Sequence, residues 1–305
     1  MLAAKRKWFE KARMLLLRSA MICAVAALGI GAAPLPKTCA PLRVMTYNIR
    51  LAIDSDGPNP WQARRDRFIG QIALMHPAIL GLQEVVALQK ADLERGLPEY
   101  RFLGVARDDG RSAGEYSNLA VDRSVFDVRS SGTFWLSPTP AVPSKGWDAA
   151  YRRIATWAHL VRRTDGHRFL ALNTHLDNEG SSARLEGARE ILGWLAAHKA
   201  RGECVLMTGD LNSEPKSPPY TALTSSPLGL RDSRTISQSP PLGPEGTFND
   251  FNPLPPSSQR IDYVLVGNGV SVVRYAVLSW HGEDGRTASD HFPVVADIAA
   301  CGGAG

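Results

Sequence analysis

Three observations predict an α/β fold. From Arg43 onward, apolar strand-like runs alternate with turn clusters and helix-patterned stretches. One strand–helix–strand plan occurs twice. Both copies end their strands on polar groups, Asn48 and Glu84 in the first and Asn173 and Asp210 in the second, 36 and 37 residues apart. Two copies of one unit imply a pseudo-symmetric pair of layers whose strand ends converge, and strand carboxyl ends are where α/β sheets place ligands.

The first unit runs from "RVMTYNIR" (43–50) through the helix-patterned "WQARRDRFIGQIALMH" (61–76) to "AILGLQEV" (78–85). Pro77 stops the helix, because proline lacks an N–H and disfavours helix in the residue before it. Strand-like "SNLAV" (117–121), "GTFWLS" (132–137) and the alternating "RRIATWAHLV" (152–161) follow. The second unit is "RFLALNTHLD" (168–177), "SSARLEGAREILGWLAAH" (181–198) and "CVLMTGDLN" (204–212). Its helix repeats Leu185, Ala188, Leu192 and Leu195 at three-to-four spacing, with Ser181 or Ser182 as the expected N-cap. Residues 213–259 are rich in Pro, Ser and Gly, a loop either mobile or part of a binding rim. "RIDYVLV" (260–266), "SVVRYAVLSW" (271–280) and "SDHFPVVADIA" (289–299) close the chain.

At 305 residues and 44% hydrophobic, the chain can bury a sizeable core. Its net charge of +5 resides in the first 18 residues, where Lys5, Arg6, Lys7, Lys11, Arg13 and Arg18 face Glu10 alone; beyond them 29 basic and 29 acidic residues cancel. A neutral body lacks the basic stripe of proteins that track along nucleic acid. The basic segment precedes "SAMICAVAALGIGAAPLP" (19–36), so residues 1–36 read as an export signal, with membrane anchoring as the alternative. A periplasmic or extracellular protein with one domain over 41–300 is expected. Cys204 opens an apolar strand and reads as core. Cys39 and Cys301 bracket the domain, either joined by a disulfide or as two independent termini.

The strand-end polar set is Asn48, Glu84, Asn173, His175, Asp210, Asn212, Asp262, Asp290 and His291. Hard oxygen donors without thiolates suit Mg²⁺, with Mn²⁺ as a substitute, better than zinc. Two histidines among them offer proton transfer near neutral pH. "GRSAG" (110–114) matches the G-x-S-x-G esterase pattern, but "ARDD" precedes it and strand-like "NLAV" follows, which is the wrong context for a nucleophile elbow.

"MTYNIR", "LQEV", "NTHLD", "TGDLNSEP", "RIDYVLV" and "SDHFPV", in this order, resemble the endonuclease/exonuclease/phosphatase superfamily over residues 41–300, and most resemble its bacterial metal-dependent hydrolases. The resemblance implies a four-layer α/β/β/α sandwich of two mixed sheets with helices outside. It implies metal-dependent hydrolysis of a phosphate ester by in-line attack of water. Glu84 is similar to the principal metal ligand, with Asn48 and Asp290 beside it. Asp210 and Asn212 resemble the pair that orients the water and holds the phosphate. Asp262 resembles the carboxylate that orients His291, and His175 the histidine that assists the leaving group. Asn173 and Arg153 are candidates for substrate contact, as is Tyr116 in "GEYS". Asn249 stands where relatives often carry His. The substrate is a nucleic acid, a phospholipid headgroup or a small phosphorylated molecule. No membrane-inserting apolar hairpin is apparent, no protein partner is implied, and a monomer is expected. A non-catalytic binding module of the same fold is the alternative, although every expected catalytic position is filled.

Overall fold

The structure, a computed structural model, describes residues 41–254 and 258–300; the expected leader and the Cys39–Cys301 pairing lie outside the described residues. In chain order the elements are β1 (Leu42–Asn48), α1 (Trp61–Met75), β2 (Ile79–Gln83), α2 (Ala87–Gly96), β3 (Tyr100–Leu103), β4 (Leu119–Asp122), β5 (Phe126–Trp135) and β6 (Ile154–Arg162). Then follow β7 (Arg168–His175), α3 (Ser181–His198), β8 (Cys204–Asp210), α4 (Pro218–Thr224), β9 (Arg231–Asp232), β10 (Asp262–Val266), β11 (Val270–Val277) and β12 (Val294–Ala300). Among the described residues no helix is long and apolar enough to cross a membrane.

The strands form two six-stranded mixed sheets, ordered β11-β12-β1-β2-β4-β3 and β5-β6-β7-β8-β10-β9. Each has one parallel pair, β1–β2 and β7–β8, among antiparallel neighbours. In both pairs the facing residues are 35 positions apart, Val44 with Ile79 and Phe169 with Cys204. The repeated unit seen in the sequence is therefore a repeated topology.

Strand alternation sorts the side chains into three apolar slabs. Val44, Ile79, Ala171, Leu206 and Val264 pack between the sheets. Met45, Tyr47, Leu80 and Leu82 meet Phe68, Ile72 and Leu93 of α1 and α2. Leu170, Leu172, Val205 and Met207 meet Ala188, Ile191 and Leu195 of α3. Helix, sheet, sheet, helix is the four-layer order.

The central slab changes character along its length. Val44, Ile79, Ala171 and Leu206 give way, two residues on, to Thr46, Gly81, Asn173 and Thr208, and then to Asn48, Gln83, His175 and Asp210. The middle rung is a clamp. Asn173 Nδ2 donates to the Leu82 and Asn118 carbonyls (both 2.9 Å), and its Oδ1 accepts from Gln83 Nε2 (2.7 Å) and Thr208 Oγ1 (2.9 Å). All four bonding positions of that amide are filled inside the interface. Asn173, expected to touch substrate, instead ties the two sheets together. Gly81 permits the approach, since a Cβ there would fall 2.1 Å from Thr208 Oγ1.

Helix ends show one agreement and one correction. α1 stops as expected, with His76 in the left-handed region (φ 43°) before Pro77. α3 is not capped by Ser181 or Ser182. Gly180 is its N-cap residue, and Asp148, from the β5–β6 loop, accepts the N–H groups of Ser182 (3.2 Å) and Ala183 (2.6 Å). A side chain distant in sequence has taken the acceptor role that a local serine would fill. "GRSAG" lies in the β3–β4 loop, where Asp109 Oδ1 accepts three successive N–H groups from Arg111, Ser112 and Ala113, so no nucleophile elbow forms.

Candidate active site

The top rung of the polar ladder builds the site. Asn48 Nδ2 donates to Glu84 Oε1 and Asp210 Oδ2 (both 3.0 Å), joining the two sheets. Asn48 Oδ1 accepts the Arg50 N–H (3.0 Å), which fixes the amide with its NH₂ towards the carboxylates. Asn48, expected among the metal ligands, thus presents donors to the two acids and holds them in place. Above this rung opens a cleft of ≈ 530 Å³ lined by Glu84, Arg153, His175, Asp210, Asn212, Asp290 and His291, all of them candidate site residues, and also by Arg50, Arg107, Glu115, Tyr151 and Phe248. Asp262 faces Asp210 across the β8–β10 ladder and is fully buried.

Three cleft residues carry positive φ: Arg50 (56°), Glu84 (63°) and Asn212 (44°), each within two residues of the end of β1, β2 or β8. Such conformations cost about 1–3 kcal/mol apiece and persist only where the surroundings impose them. Part of the imposition comes from Arg64 on α1, fully buried, which donates to the carbonyls of Ile49, Arg50 (2.7 Å) and Ala288 (3.1 Å). One guanidinium thereby binds the end of β1 to the loop that carries Asp290 and His291.

The two histidines hold opposite charge states. His291 Nδ1 donates to Asp262 Oδ2 at 2.9 Å. Burial alone would strip its proton, but the charge and hydrogen bond of Asp262, aided by Asp290 and Asp210, keep His291 well above its ordinary value, as an imidazolium. His175 is driven far below its ordinary value by burial and by Arg153, Arg107 and His291, so it is neutral. Asn212 Nδ2 donates to the Leu176 carbonyl and to His175 Nε2 (both 2.9 Å), which puts the His175 proton on Nδ1, 4.0 Å from Glu115 Oε2. With both amide hydrogens engaged, Asn212 sets the tautomer of His175 rather than holding phosphate. The Asn212 backbone N–H meanwhile donates to Asp210 Oδ1 (2.8 Å). Burial and the charge of Asp262 push Asp210 up to about 7. Burial, with Glu84 alongside, also raises Asp290.

These shifts record buried carboxylates short of positive charge, and the buried Asp262 Oδ1 has no hydrogen-bond partner. Asp210, Asp262 and His291 bring ligand atoms within 4.8 Å of one another. Within that triad, His291 and Asp262 are already committed to each other as an ion pair. Glu84 and Asp290, which also line the cleft, are the carboxylates expected at an ion, and oxygen donors of this kind fit a hard divalent cation that keeps water and substrate oxygens as its other ligands.

At one end of the cleft, sequence reasoning named Arg153 but not Arg107, Glu115, Tyr151 or Asp177 beneath them. Asp177, buried, accepts from the N–H groups of Ala150 (3.1 Å), Tyr151 (3.3 Å), Glu179 (3.1 Å) and Gly180 (2.7 Å) and from Arg153 Nε (3.2 Å). Arg153 Nη2 donates to Asn178 Oδ1 (2.7 Å), so Arg153 both pins this loop and lines the cleft. Glu115, paired with Arg107 (2.7 Å), lines the cleft, whereas its neighbour Tyr116 is buried with its hydroxyl on the Arg111 carbonyl. Asn249 is likewise buried, and it is Phe248 that meets the cleft, edge-on to His291 at 5.2 Å. "GEYS" and "NTHLD" were visible as motifs, but only the fold shows which of their residues face inward.

A family model described as Endonuclease/Exonuclease/phosphatase family matches residues 45–291. A mannosyl-6-phosphatase of Bacteroides thetaiotaomicron superposes with a TM-score of 0.80 at 35% identity, covering 85% of this chain and 99% of that one. An endonuclease/exonuclease/phosphatase from Bacteroides vulgatus gives 0.81 at 35% identity, covering 86% and 99%. An uncharacterized protein of Acanthamoeba polyphaga mimivirus is 27% identical over 168 residues, 51% of this chain and 60% of the viral protein. The match thus spans about 60% of the length of that curated relative.

Proposed function

The chain belongs to the endonuclease/exonuclease/phosphatase family, and we propose that it is a divalent-cation-dependent phosphoesterase acting on a small phosphorylated molecule. The observation that carries this reading is the meeting, at one set of strand ends, of three cleft carboxylates, an imidazolium and a neutral imidazole. A small substrate is supported by the neutral charge of the chain beyond its first 18 residues, by the ≈ 530 Å³ volume of the cleft, and by the likeness to a mannosyl-6-phosphatase.

Glu84 and Asp290 would hold a divalent ion, which would neutralise phosphate charge and acidify water. The remaining work falls to this chain's own groups. Asp210, oriented by the Asn48 amide and the Asn212 N–H, takes the proton of the attacking water. His291 donates through Nε2 to a phosphoryl oxygen as charge builds there, a donor worth roughly 3–4 kcal/mol in the transition state. Asp262 keeps that imidazole charged and oriented. Asn48 and Asn212 hold Glu84, Asp210 and His175 at their stations. His175 borders the leaving-group end, beside Arg153 and Glu115. Export through residues 1–36 would place this activity in the periplasm or outside the cell.

The test is turnover by purified protein with Mg²⁺ on mannose 6-phosphate, glycerol 3-phosphate, bis-p-nitrophenyl phosphate and plasmid DNA. Hydrolysis of the small esters, lost with EDTA and in Asp210→Ala, is expected. Cleavage of DNA alone would make the protein a nuclease, and activity indifferent to EDTA or to Asp210→Ala would remove the mechanism.

A further inference from the structure

Across the second sheet the strand order β10-β8-β7-β6 sets out Asp262, Asp210, His175 and then Arg153, the residue just before β6. Neighbouring strands are roughly 4.8 Å apart, so the Arg153 end lies roughly 10 Å from the Asp210 strand. That is the reach from a reacting phosphoryl group to the far side of a sugar ring. At this end stands Tyr151, which lines the cleft yet is 48% exposed.

Its mounting is unusual for an exposed aromatic. The guanidinium carbons of Arg107 and Arg153 sit 4.9 and 5.7 Å from its ring centroid. Its backbone N–H and Arg153 Nε are both bound to Asp177 Oδ2 (3.3 and 3.2 Å). Arg153 is held again through Asn178 (2.7 Å). The ring thus stacks against two guanidiniums while about half of the residue stays exposed in the cleft, an apolar surface with nitrogen donors against it. Arg107 and Arg153 are both buried, so the mount is part of the protein interior.

We infer that Tyr151 is a specificity-determining platform on which the leaving group of the substrate, a hydroxyl-bearing ring such as a pyranose, lays its C–H face, with Arg153 and Asn178 flanking its hydroxyls. The inference rests on the phosphoesterase reading above and adds the part of the substrate that reading leaves open. An exposed aromatic surface with guanidinium and amide groups beside it matches a sugar ring, whereas an acyclic phosphomonoester has no face to offer.

The experiment compares kcat/KM for mannose 6-phosphate and for glycerol 3-phosphate in the wild type, Tyr151→Phe and Tyr151→Ala, with Mg²⁺ present. The wild type should favour the ring substrate. Tyr151→Ala should raise KM for mannose 6-phosphate about tenfold, the scale of one aromatic contact, and leave glycerol 3-phosphate kinetics unchanged. Tyr151→Phe should keep the preference, showing that the ring and not the hydroxyl is responsible. An unchanged ring preference in Tyr151→Ala, or an equal loss on both esters, overturns the platform while the phosphoesterase reading stands. A wild type that shows no preference for mannose 6-phosphate also overturns the platform, and one that hydrolyses no small phosphate ester, bis-p-nitrophenyl phosphate included, overturns the phosphoesterase reading with it.

Discussion

His175 and His291 are chemically identical side chains held in opposite charge states. The difference lies entirely in their neighbours: His291 has Asp262 on Nδ1, while His175 faces two guanidiniums and takes an amide donor on Nε2. If the Asp262–His291 pair acts as one unit, its members are not additive. His291→Ala and Asp262→Asn should each lower kcat by about 10²–10³, and the double variant should be little worse than either alone. Steady-state kinetics on folded protein, with circular dichroism as the control for folding, checks this; additive losses would mean that the two residues act separately. Both residues were legible in the sequence as polar groups beside apolar runs, and their pairing came from the resemblance of "RIDYVLV" and "SDHFPV" to the family motifs. Asn173 misled on the same signal. It is equally polar and equally near a strand end, but it sits two residues short of His175, and that single pleat step places it in the sheet interface instead of the cleft.

The repeated strand–helix–strand units were readable because each combines an apolar strand, a stop signal and a polar strand end within one local window. The offset of 35 residues in both parallel pairs follows from equal spacing in the two units. Elements with short or mixed patterns were not readable: α2 buries only Gln89, Asp92 and Leu93 among its ten residues, and β3 has four residues. Caps supplied from elsewhere, as Asp148 supplies α3, leave no local signature at all. Gly81 on β2 is the element-scale position with the firmest consequence. Gly81→Ala would drive a methyl group into Thr208 and Asn173, so the sheets must separate at the clamp. A loss of about 1–3 kcal/mol in urea denaturation is expected, the usual cost of overpacking. Wild-type stability in Gly81→Ala would show that the interface is looser than its hydrogen bonds indicate.

For the molecule as a whole, the two sheets repeat one topology and differ in what their strand ends carry. The first brings Asn48, Glu84 and the Asp290–His291 loop; the second brings His175, Asp210 and Asp262. Neither sheet alone holds both the carboxylates and the paired imidazoles, so the site exists only where they face each other. The raised proton affinities of Asp210 and Asp290 show what that meeting costs without a cation. The most direct test is the Mg²⁺ concentration that gives half-maximal hydrolysis of a small phosphate ester in wild type and Glu84→Gln. A midpoint at least tenfold higher in Glu84→Gln, with wild-type activity abolished by EDTA, is the predicted result. The same midpoint in both proteins, or wild-type turnover that survives EDTA, would contradict a divalent ion held by Glu84 and Asp290.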